Sequence, residues 1–207
     1  MRLTDPNAAT VDLNGAHIYP GALDADAQRA LVAEIRAVVG AAPLFQPVTQ
    51  RGRPMSVRMT AAGDFGWISD RSGYRYERCH PTGSPWPAIP DRLLLLWATL
   101  LPEARDPECC LVNFYGEGAR MGLHQDLDEA DLTQPVLSVS LGDDGLFRVG
   151  GAEKPSPSRS CWLHSGDVVV LAGSARLAYH GVDRIRFGSS TLLSQGGRLN
   201  LTLRVVN

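Results

Sequence analysis

The spacing of apolar residues predicts two amphipathic helices in the first half of the chain. In Leu23–Val39 apolar residues recur three and four positions apart, which places them on one helical face. Asp24 is a candidate N-cap of this helix, and Gly40 is its expected stop. A second helix is predicted at Asp91–Leu101. The segment between them, residues 41–90, is rich in Gly, Pro and Arg, which predicts short strands joined by turns.

The second half of the chain has the pattern of a β protein. Short runs rich in Val, Leu and aromatic residues are separated by Gly, Asp and Ser turns. The runs are Cys110–Tyr115, Val136–Leu141, Leu146–Val149, Cys161–His164, Asp167–Ala172, Arg176–Tyr179, Arg184–Phe187 and Leu199–Val206. Seven or eight strands without intervening helices predict a sandwich or barrel. We interpret residues 1–207 as a single domain, with 41–90 as a cover and 110–206 as the β core.

Length and composition are those of a soluble globular domain. The 207 residues are 44% hydrophobic and 20% charged, which argues against a disordered or fibrous chain. The first residues include no apolar leader, and apolar runs such as Leu93–Ala98 fall far short of the ~20 residues that a membrane span needs. We expect a cytoplasmic monomer without a membrane partner.

The four cysteines do not have the spacing of a metal or disulfide framework. Cys79, Cys109, Cys110 and Cys161 include no C-x-x-C pair, and adjacent cysteines are poorly placed to chelate one zinc ion. We therefore expect neither structural zinc nor disulfides.

The overall charge excludes a broad nucleic-acid-binding surface. The net charge is −2 and the pI is about 6.2, whereas such surfaces usually accompany a pI above about 9. Residues 45–80 are an exception, because they carry six arginines against three acids, together with Trp67, Tyr74 and Tyr76. Interleaved arginine and aromatic residues suit phosphate contact combined with base stacking. A solvated loop with some aromatic packing is the alternative interpretation.

A candidate metal site is present at His124 and Asp126. Two residues apart on an extended backbone, the imidazole and the carboxylate point to the same side and can share one metal ion. A later histidine would complete two histidines and one carboxylate, the set that suits iron(II) oxygenases. His180 and His164 are both available as the third ligand. The triplet alone is weak evidence, since a surface loop can contain it by chance.

The last predicted strand supplies the stronger observation. Its polar residues, Arg198, Asn200, Thr202 and Arg204, alternate with apolar residues that face the other way. Buried arginines need anions, and the two arginines lie about 20 Å apart along the strand. That spacing suits a ligand with an acid at each end, such as 2-oxoglutarate, whose keto acid end can chelate iron. An edge strand with an outward polar face remains the alternative.

Several motifs together resemble one known family. They are NFY at 113–115, HQDLDE at 124–129, HG at 180–181 and RLNLTLR at 198–204, preceded by MSVRMTAAGDFGW, SGYRY and PWPAIP. Across roughly residues 54–206 the chain resembles the bacterial members of the AlkB family of 2-oxoglutarate-dependent nucleic-acid demethylases. The R-x-N-x-T-x-R pattern is the specific part of this resemblance, because four fixed residues at set spacings within seven positions seldom arise by chance.

The resemblance implies a role for each matching residue. Iron(II) would be bound by His124, Asp126 and His180. The 2-oxoglutarate would be held by Asn113, Tyr115, Arg198, Asn200 and Arg204, with Arg198 on the distal carboxylate. The damaged base would be contacted by Met59, Trp67, Tyr74 and Asp128. Lys154 stands where the bacterial type has an arginine, so charge is kept but forked hydrogen bonding is not.

The resemblance also implies the fold and the reaction. The fold would be mainly β with flanking helices (α+β): a double-stranded β-helix, or jelly roll, with an N-terminal nucleotide-recognition cover. Iron(II), 2-oxoglutarate and O2 would serve oxidative demethylation of N1-methyladenine and N3-methylcytosine in single-stranded or locally flipped double-stranded DNA, or in RNA, with release of formaldehyde. Two other classes stay open: an oxygenase acting on a protein side chain or a small molecule, and a non-catalytic jelly-roll binding module.

Overall fold

The computed structural model describes residues 10–154 and 156–207. The expectation that the chain has no apolar leader falls on residues 1–9, which lie outside the described residues. The helices are α1 (Ala25–Ala41) and α2 (Asp91–Leu100). The strands are β1 (Val11–Leu13), β2 (Ala16–Tyr19), β3 (Arg58–Gly63), β4 (Gly66–Asp70), β5 (Gly73–Glu77), β6 (Cys109–Tyr115), β7 (Met121–His124), β8 (Val136–Gly142), β9 (Asp144–Val149), β10 (Arg159–Leu163), β11 (Val168–Leu171), β12 (His180–Arg186) and β13 (Arg198–Arg204).

Helix α1 has the predicted N-cap, Asp24, but begins at Ala25 and ends later than predicted. The Asp24 side chain accepts a hydrogen bond from the Ala27 backbone N–H at 2.8 Å, as an N-cap does. The expected stop at Gly40 is wrong, because the helix continues through Ala41. The glycine sits on the exposed side of the last turn, and Pro43 follows the C-cap residue, so proline ends the helix.

Most strands form two antiparallel sheets, as the jelly-roll expectation requires. The large sheet has the order β1-β2-β11-β8-β13-β6-β3, and the small sheet has the order β10-β9-β12-β7. Strands β4 and β5 form a separate hairpin. Because β13 lies between β8 and β6, the interpretation of it as an edge strand is wrong. The mainly β fold with flanking helices is confirmed.

The large sheet is the middle layer of the molecule. One of its faces packs against α1 and α2 in a cluster that includes Leu31, Trp97 and Leu201. The other face packs against the small sheet in a second cluster, where Val169 and Phe147 represent the two sheets. A cavity between the two sheets is therefore walled by regular strands on both sides.

Three parts of the β structure differ from the sequence expectation. The prediction of a strand at Arg176–Tyr179 is wrong, because no strand lies among the described residues between β11 and β12. The stretch instead follows a 3₁₀ turn at Gly173–Ala175, and the Arg176 side chain is buried. The strand expected at Arg184–Phe187 begins earlier, at His180. The large sheet also takes in β1, β2 and β3, so its strands extend beyond residues 110–206.

The error at Arg176 has its cause in long-range contacts of this residue. Its backbone N–H bonds the Gly173 carbonyl across a turn, while its guanidinium reaches carbonyls of Gln134 and Asp126. These long-range polar partners fix the local backbone, and nothing in the short apolar pattern reveals them.

Two further expectations concern membranes and cysteines. Within the described ranges, no helix combines the length and the apolarity needed to cross a membrane. All four cysteines are free thiols, and Cys109 and Cys110 are buried in β6.

The apolar face of β13 should contribute strongly to stability. Leu201 is fully buried, so Leu201→Ala should lower the free energy of unfolding by about 2–5 kcal/mol. Leu95 is 54% exposed on α2, and Leu95→Ala should change it by less than about 0.5 kcal/mol. Urea unfolding followed by circular dichroism compares the two, and equal losses would contradict the layer assignment.

Candidate metal and cosubstrate site

A cavity of about 540 Å³ lies between the two sheets, with the β4–β5 hairpin beside its mouth. It is lined by twelve of the thirteen residues that the sequence predicts for the site: Met59, Trp67, Tyr74, Asn113, Tyr115, His124, Asp126, Asp128, His180, Arg198, Asn200 and Arg204. The thirteenth, Lys154, does not line it. The fold therefore brings together residues that are up to 145 positions apart in the chain.

Three side chains form a compact candidate metal site. His124 ends β7 and His180 begins β12, and the two are paired across the antiparallel ladder. The Nε2 atoms of His124 and His180 lie 3.8 Å and 3.6 Å from the two carboxylate oxygens of Asp126. One ligand atom from each residue lies within 4.8 Å of the others. This is a suitable arrangement for one ion bound on one side by three ligands.

The two imidazoles are held in the tautomer that binds metals. The Nδ1 atoms of His124 and His180 face the backbone carbonyls of Gly122 and Ala178 at 2.9 Å and 3.0 Å. Nδ1 must carry the proton to donate to a carbonyl, which leaves a lone pair on Nε2, pointing toward Asp126. Burial also lowers the pKa of His180, which favours the neutral imidazole.

The Asp126 carboxylate is buried and incompletely satisfied. Burial raises its pKa, but Arg204, His180 and His124 outweigh that effect and lower it to about 2. Oδ1 pairs with Arg204 Nη2 at 2.8 Å, whereas Oδ2 has no hydrogen-bond partner. A buried, ionised oxygen without a donor is costly unless a cation meets it. Two imidazole nitrogens and this carboxylate fit iron(II).

His164, the other candidate for the third ligand, lies elsewhere. Its side chain is 62% exposed, and Nδ1 contacts Asp144 Oδ1 at 2.9 Å. The geometry therefore selects His180, a choice that residue spacing left open.

Arg198 is a buried cation without an anionic partner among the described residues. Its side chain is fully buried, and it donates only to neutral groups: Ser140 Oγ at 2.7 Å and the carbonyls of Asp143 and Leu163. Burial lowers its pKa, and its Nε is unpartnered. A guanidinium in this setting is stabilised by an anion in the cavity.

Asn113 and Tyr115 lie beside Arg198 and Asn200 through the strand register. Asn200 pairs with Asn113, and Arg198 pairs with Tyr115, across β13 and β6. The Oδ1 atom of Asn113 is buried without a partner. Burial raises the pKa of Tyr115 to about 12, so its hydroxyl stays protonated and can donate. This wall can hold a small polar anion.

Arg204 differs from Arg198, because its charge is already neutralised. It pairs with Asp126 Oδ1 and with Glu129 Oε1, the latter at 3.1 Å. Arg176 Nη2 also pairs with Glu129, at 3.1 Å. Neither Glu129 nor Arg176 was predicted as a site residue from the sequence. Glu129 is the last residue of the HQDLDE motif, so its position beside the metal ligands was a signal that could have identified it.

The hairpin beside the mouth carries an aromatic stack. The rings of Trp67 and Tyr74 are 5.5 Å apart and nearly parallel, and Tyr74 is 47% exposed. The Trp67 indole N–H donates to Asp128 Oδ2 at 2.7 Å, which fixes the ring beside a carboxylate. Met59 is buried on β3 at the base of this region.

Lys154 is exposed, and its ammonium group lies over the Tyr179 ring, 4.0 Å from the centroid. It thus makes a cation–π contact outside the cavity. The adjacent Pro155 lies outside the described residues.

The family comparisons agree with this geometry. Residues 15–204 match the model of the 2OG-Fe(II) oxygenase superfamily. The chain is 56% identical over 191 residues to the α-ketoglutarate-dependent dioxygenase AlkB homolog of Caulobacter vibrioides strain NA1000 / CB15N, covering 92% of this chain and 87% of that protein. It is 40% identical to AlkB of Escherichia coli strain K12 over 184 residues, 86% and 85% of the two chains.

More distant similarities extend the comparison. The solved structure titled "The structure of OsALKBH1" superposes with a TM-score of 0.82 at 28% identity, covering 95% of this chain and 99% of that one. A DNA N(6)-methyladenine demethylase of Arabidopsis thaliana is 39% identical over 54% of this chain and 34% of its own length. A tRNA demethylase of Schizosaccharomyces pombe is 33% identical over 64% of this chain and 46% of its own length.

The choice between the two histidines can be tested directly. His180→Ala should weaken iron(II) binding by more than about 100-fold, because losing a ligand costs more than losing an outer-shell partner. His164→Ala removes the same ring from an exposed position and should leave binding unchanged. Anaerobic calorimetric titration with iron(II) measures both, and a larger loss in His164→Ala would refute the assignment.

Arg198 should control binding of the dicarboxylate. Arg198→Gln leaves a buried carboxylate without its guanidinium, so 2-oxoglutarate affinity should fall by about 3 kcal/mol, or more than about 100-fold. Arg184 is exposed on β12 outside the cavity, and Arg184→Gln serves as the matched control. Titration of the iron-loaded protein with 2-oxoglutarate gives both affinities; equal values for the two variants would contradict the prediction.

Proposed function

Because this chain belongs to the 2OG-Fe(II) oxygenase superfamily, and within it to the AlkB dioxygenases, we propose that it oxidatively demethylates N-alkylated bases in DNA. It is an iron(II)- and 2-oxoglutarate-dependent dioxygenase. The proposed substrates are bases of the N1-methyladenine and N3-methylcytosine type, which makes the reaction a direct repair of alkylation damage. The observation that carries the proposal is an aromatic stack with a carboxylate at the mouth of a cavity that fits iron and a dicarboxylate.

Different residues of the cavity would bind iron(II) and 2-oxoglutarate. His124, Asp126 and His180 would hold iron(II), through two Nε2 atoms and the Asp126 carboxylate. Arg198 would take the distal carboxylate of 2-oxoglutarate, because it is the buried guanidinium that lacks an anion. Asn113, Tyr115 and Asn200 would orient the rest of that molecule along β6 and β13. Arg204 pairs with Asp126 Oδ1, so it would hold that carboxylate in place as well as support 2-oxoglutarate.

With iron(II) and 2-oxoglutarate bound, the site supplies the oxidation of an N-methyl group to N-hydroxymethyl, in which O2 is consumed and succinate and CO2 are released. The hydroxymethyl product loses formaldehyde on its own. No protein nucleophile is therefore needed, and the chain's contribution is binding, orientation and exclusion of water by the strand walls.

The hairpin would recognise the base by stacking and by charge. A base methylated at one of these ring nitrogens is cationic, so stacking on Trp67 and Tyr74 gains from cation–π attraction. Asp128, fixed by the Trp67 indole, places a negative charge beside the base. The base must leave the stack of its own strand to reach the cavity, which favours single-stranded or locally flipped DNA.

The charge of the cover supports contact with a phosphate backbone at a few points. Arg51, Arg53 and Arg71 are exposed, whereas Arg75 is neutralised by Asp70 and Glu77. Phosphate contacts should thus be few, and binding correspondingly modest and salt-sensitive. RNA is a second candidate substrate, favoured by the likeness to a tRNA demethylase. Lys154, outside the cavity, would reach only the flanking strand.

We further propose that the enzyme acts as a cytoplasmic monomer. The residues proposed to hold iron(II) and 2-oxoglutarate all belong to one chain, which supports this proposal. Free cysteines, two of them in the core, agree with a reducing compartment.

The role of the hairpin separates a nucleic-acid demethylase from an oxygenase with another substrate. Trp67→Ala should reduce formaldehyde release from methylated single-stranded DNA by about 10-fold or more, since base stacking contributes about 1–3 kcal/mol per base. Uncoupled conversion of 2-oxoglutarate to succinate should largely persist. Trp162→Ala, which removes the same ring from β10 outside the cavity, is the control. Equal loss of both activities in Trp67→Ala would count against base stacking.

A further inference from the structure

Glu129 has no role in the function proposed above, yet its carboxylate is one of the most enclosed in the described chain. Its side chain is 0% exposed. Three donors converge on it: Arg204 Nη1 and Arg176 Nη2, both at 3.1 Å, and the hydroxyl of Tyr76. Such a set of charge-assisted hydrogen bonds holds a buried carboxylate in one orientation.

Both arginines bound by Glu129 also hold Asp126, at different atoms. Arg204 Nη2 pairs with Oδ1 of the Asp126 side chain at 2.8 Å. Arg176 Nη1 donates to the Asp126 backbone carbonyl at 2.9 Å. Glu129 thus fixes the two groups that fix Asp126, one on the side chain and one on the backbone. The four residues carry two negative and two positive charges, so the cluster is balanced before any metal ion binds.

Tyr76 joins the same cluster to the hairpin. It lies on β5, directly opposite Trp67 on β4. Trp67 bonds Asp128 and Tyr76 bonds Glu129, so the hairpin is docked on residues 128–129, two to three positions after Asp126. Tyr76 also accepts a hydrogen bond from Arg204 Nη1 at 3.0 Å. The hairpin and Asp126 therefore share Arg204 as a hydrogen-bond partner.

We propose that Glu129 is a positioning residue with two linked tasks: it holds Asp126 in its metal-binding orientation through Arg204 and Arg176, and it anchors the β4–β5 hairpin through Tyr76. The inference rests on the assignment of His124, Asp126 and His180 to iron proposed above. Outer-shell partners of metal ligands set ligand orientation and tune affinity in this manner. Loss of the Glu129 charge would also leave an excess positive charge beside the site of a divalent cation.

The test uses Glu129→Gln, which keeps the shape and removes the charge. Iron(II) affinity, measured by anaerobic calorimetry, should fall about 10–100-fold. Amide hydrogen exchange in Gly66–Glu77 should become faster in the metal-free protein. Glu117→Gln, the same change at an exposed glutamate after β6, should alter neither quantity. Unchanged affinity, or unchanged exchange in the hairpin, would overturn the proposal.

Two further variants keep the outcome unambiguous. Tyr76→Phe removes one donor to Glu129 and serves as the test if Glu129→Gln fails to fold. This variant should lower iron(II) affinity by about threefold and make amide exchange in the hairpin faster. No change in either quantity would overturn the link between Glu129 and the hairpin. His180→Ala is titrated alongside. If His180→Ala binds iron(II) as tightly as the unmodified chain, the iron assignment itself fails. If His180→Ala binds iron(II) more weakly but Glu129→Gln keeps the original affinity, only the role of Glu129 is rejected.

Discussion

The site depends on the alternation of side chains along β13, an interior strand whose two faces meet different surroundings. Leucines on one face pack against the helices, while Arg198, Asn200, Thr202 and Arg204 on the other face line the cavity. A one-residue shift in register would exchange the two faces, putting the arginines in the helix layer and the leucines in the cavity. Pairing with β6 and β8 along the whole strand prevents that shift.

The cavity joins two incomplete electrostatic sites. On one side, Asp126 has a buried oxygen without a donor and two imidazole rings beside it, which fits a cation. On the other side, Arg198 is a buried guanidinium that donates only to neutral groups, which fits an anion. In the proposed function, iron(II) would satisfy the first site and the distal carboxylate of 2-oxoglutarate the second, so one metal–cosubstrate pair would meet both requirements.

Part of the site was predictable from local periodicity and motif spacing, whereas most of its other residues were assigned by the resemblance to the AlkB family. The polar face of β13 follows from alternation, and the pairing of His124 with Asp126 follows from their separation by one residue. The choice of His180 over His164 was not derivable from spacing, since it depends on the register of β12 with β7. The cluster of Glu129, Arg176 and Tyr76 was not predicted, because its contacts span 47 to 128 positions in the chain. Tyr76 was named from the sequence only as an aromatic residue of the cover. Strand prediction failed at Arg176 for the same reason: long-range partners decide its backbone.

The most direct test of the central claim is the joint measurement of succinate and formaldehyde with a single-stranded oligonucleotide carrying N1-methyladenine or N3-methylcytosine. The account predicts formaldehyde in near-equal amount to succinate, with both dependent on iron(II) and 2-oxoglutarate, and little of either from the unmethylated oligonucleotide. Succinate formation without formaldehyde from any methylated oligonucleotide, DNA or RNA, would contradict nucleic-acid demethylation while leaving the dioxygenase assignment intact.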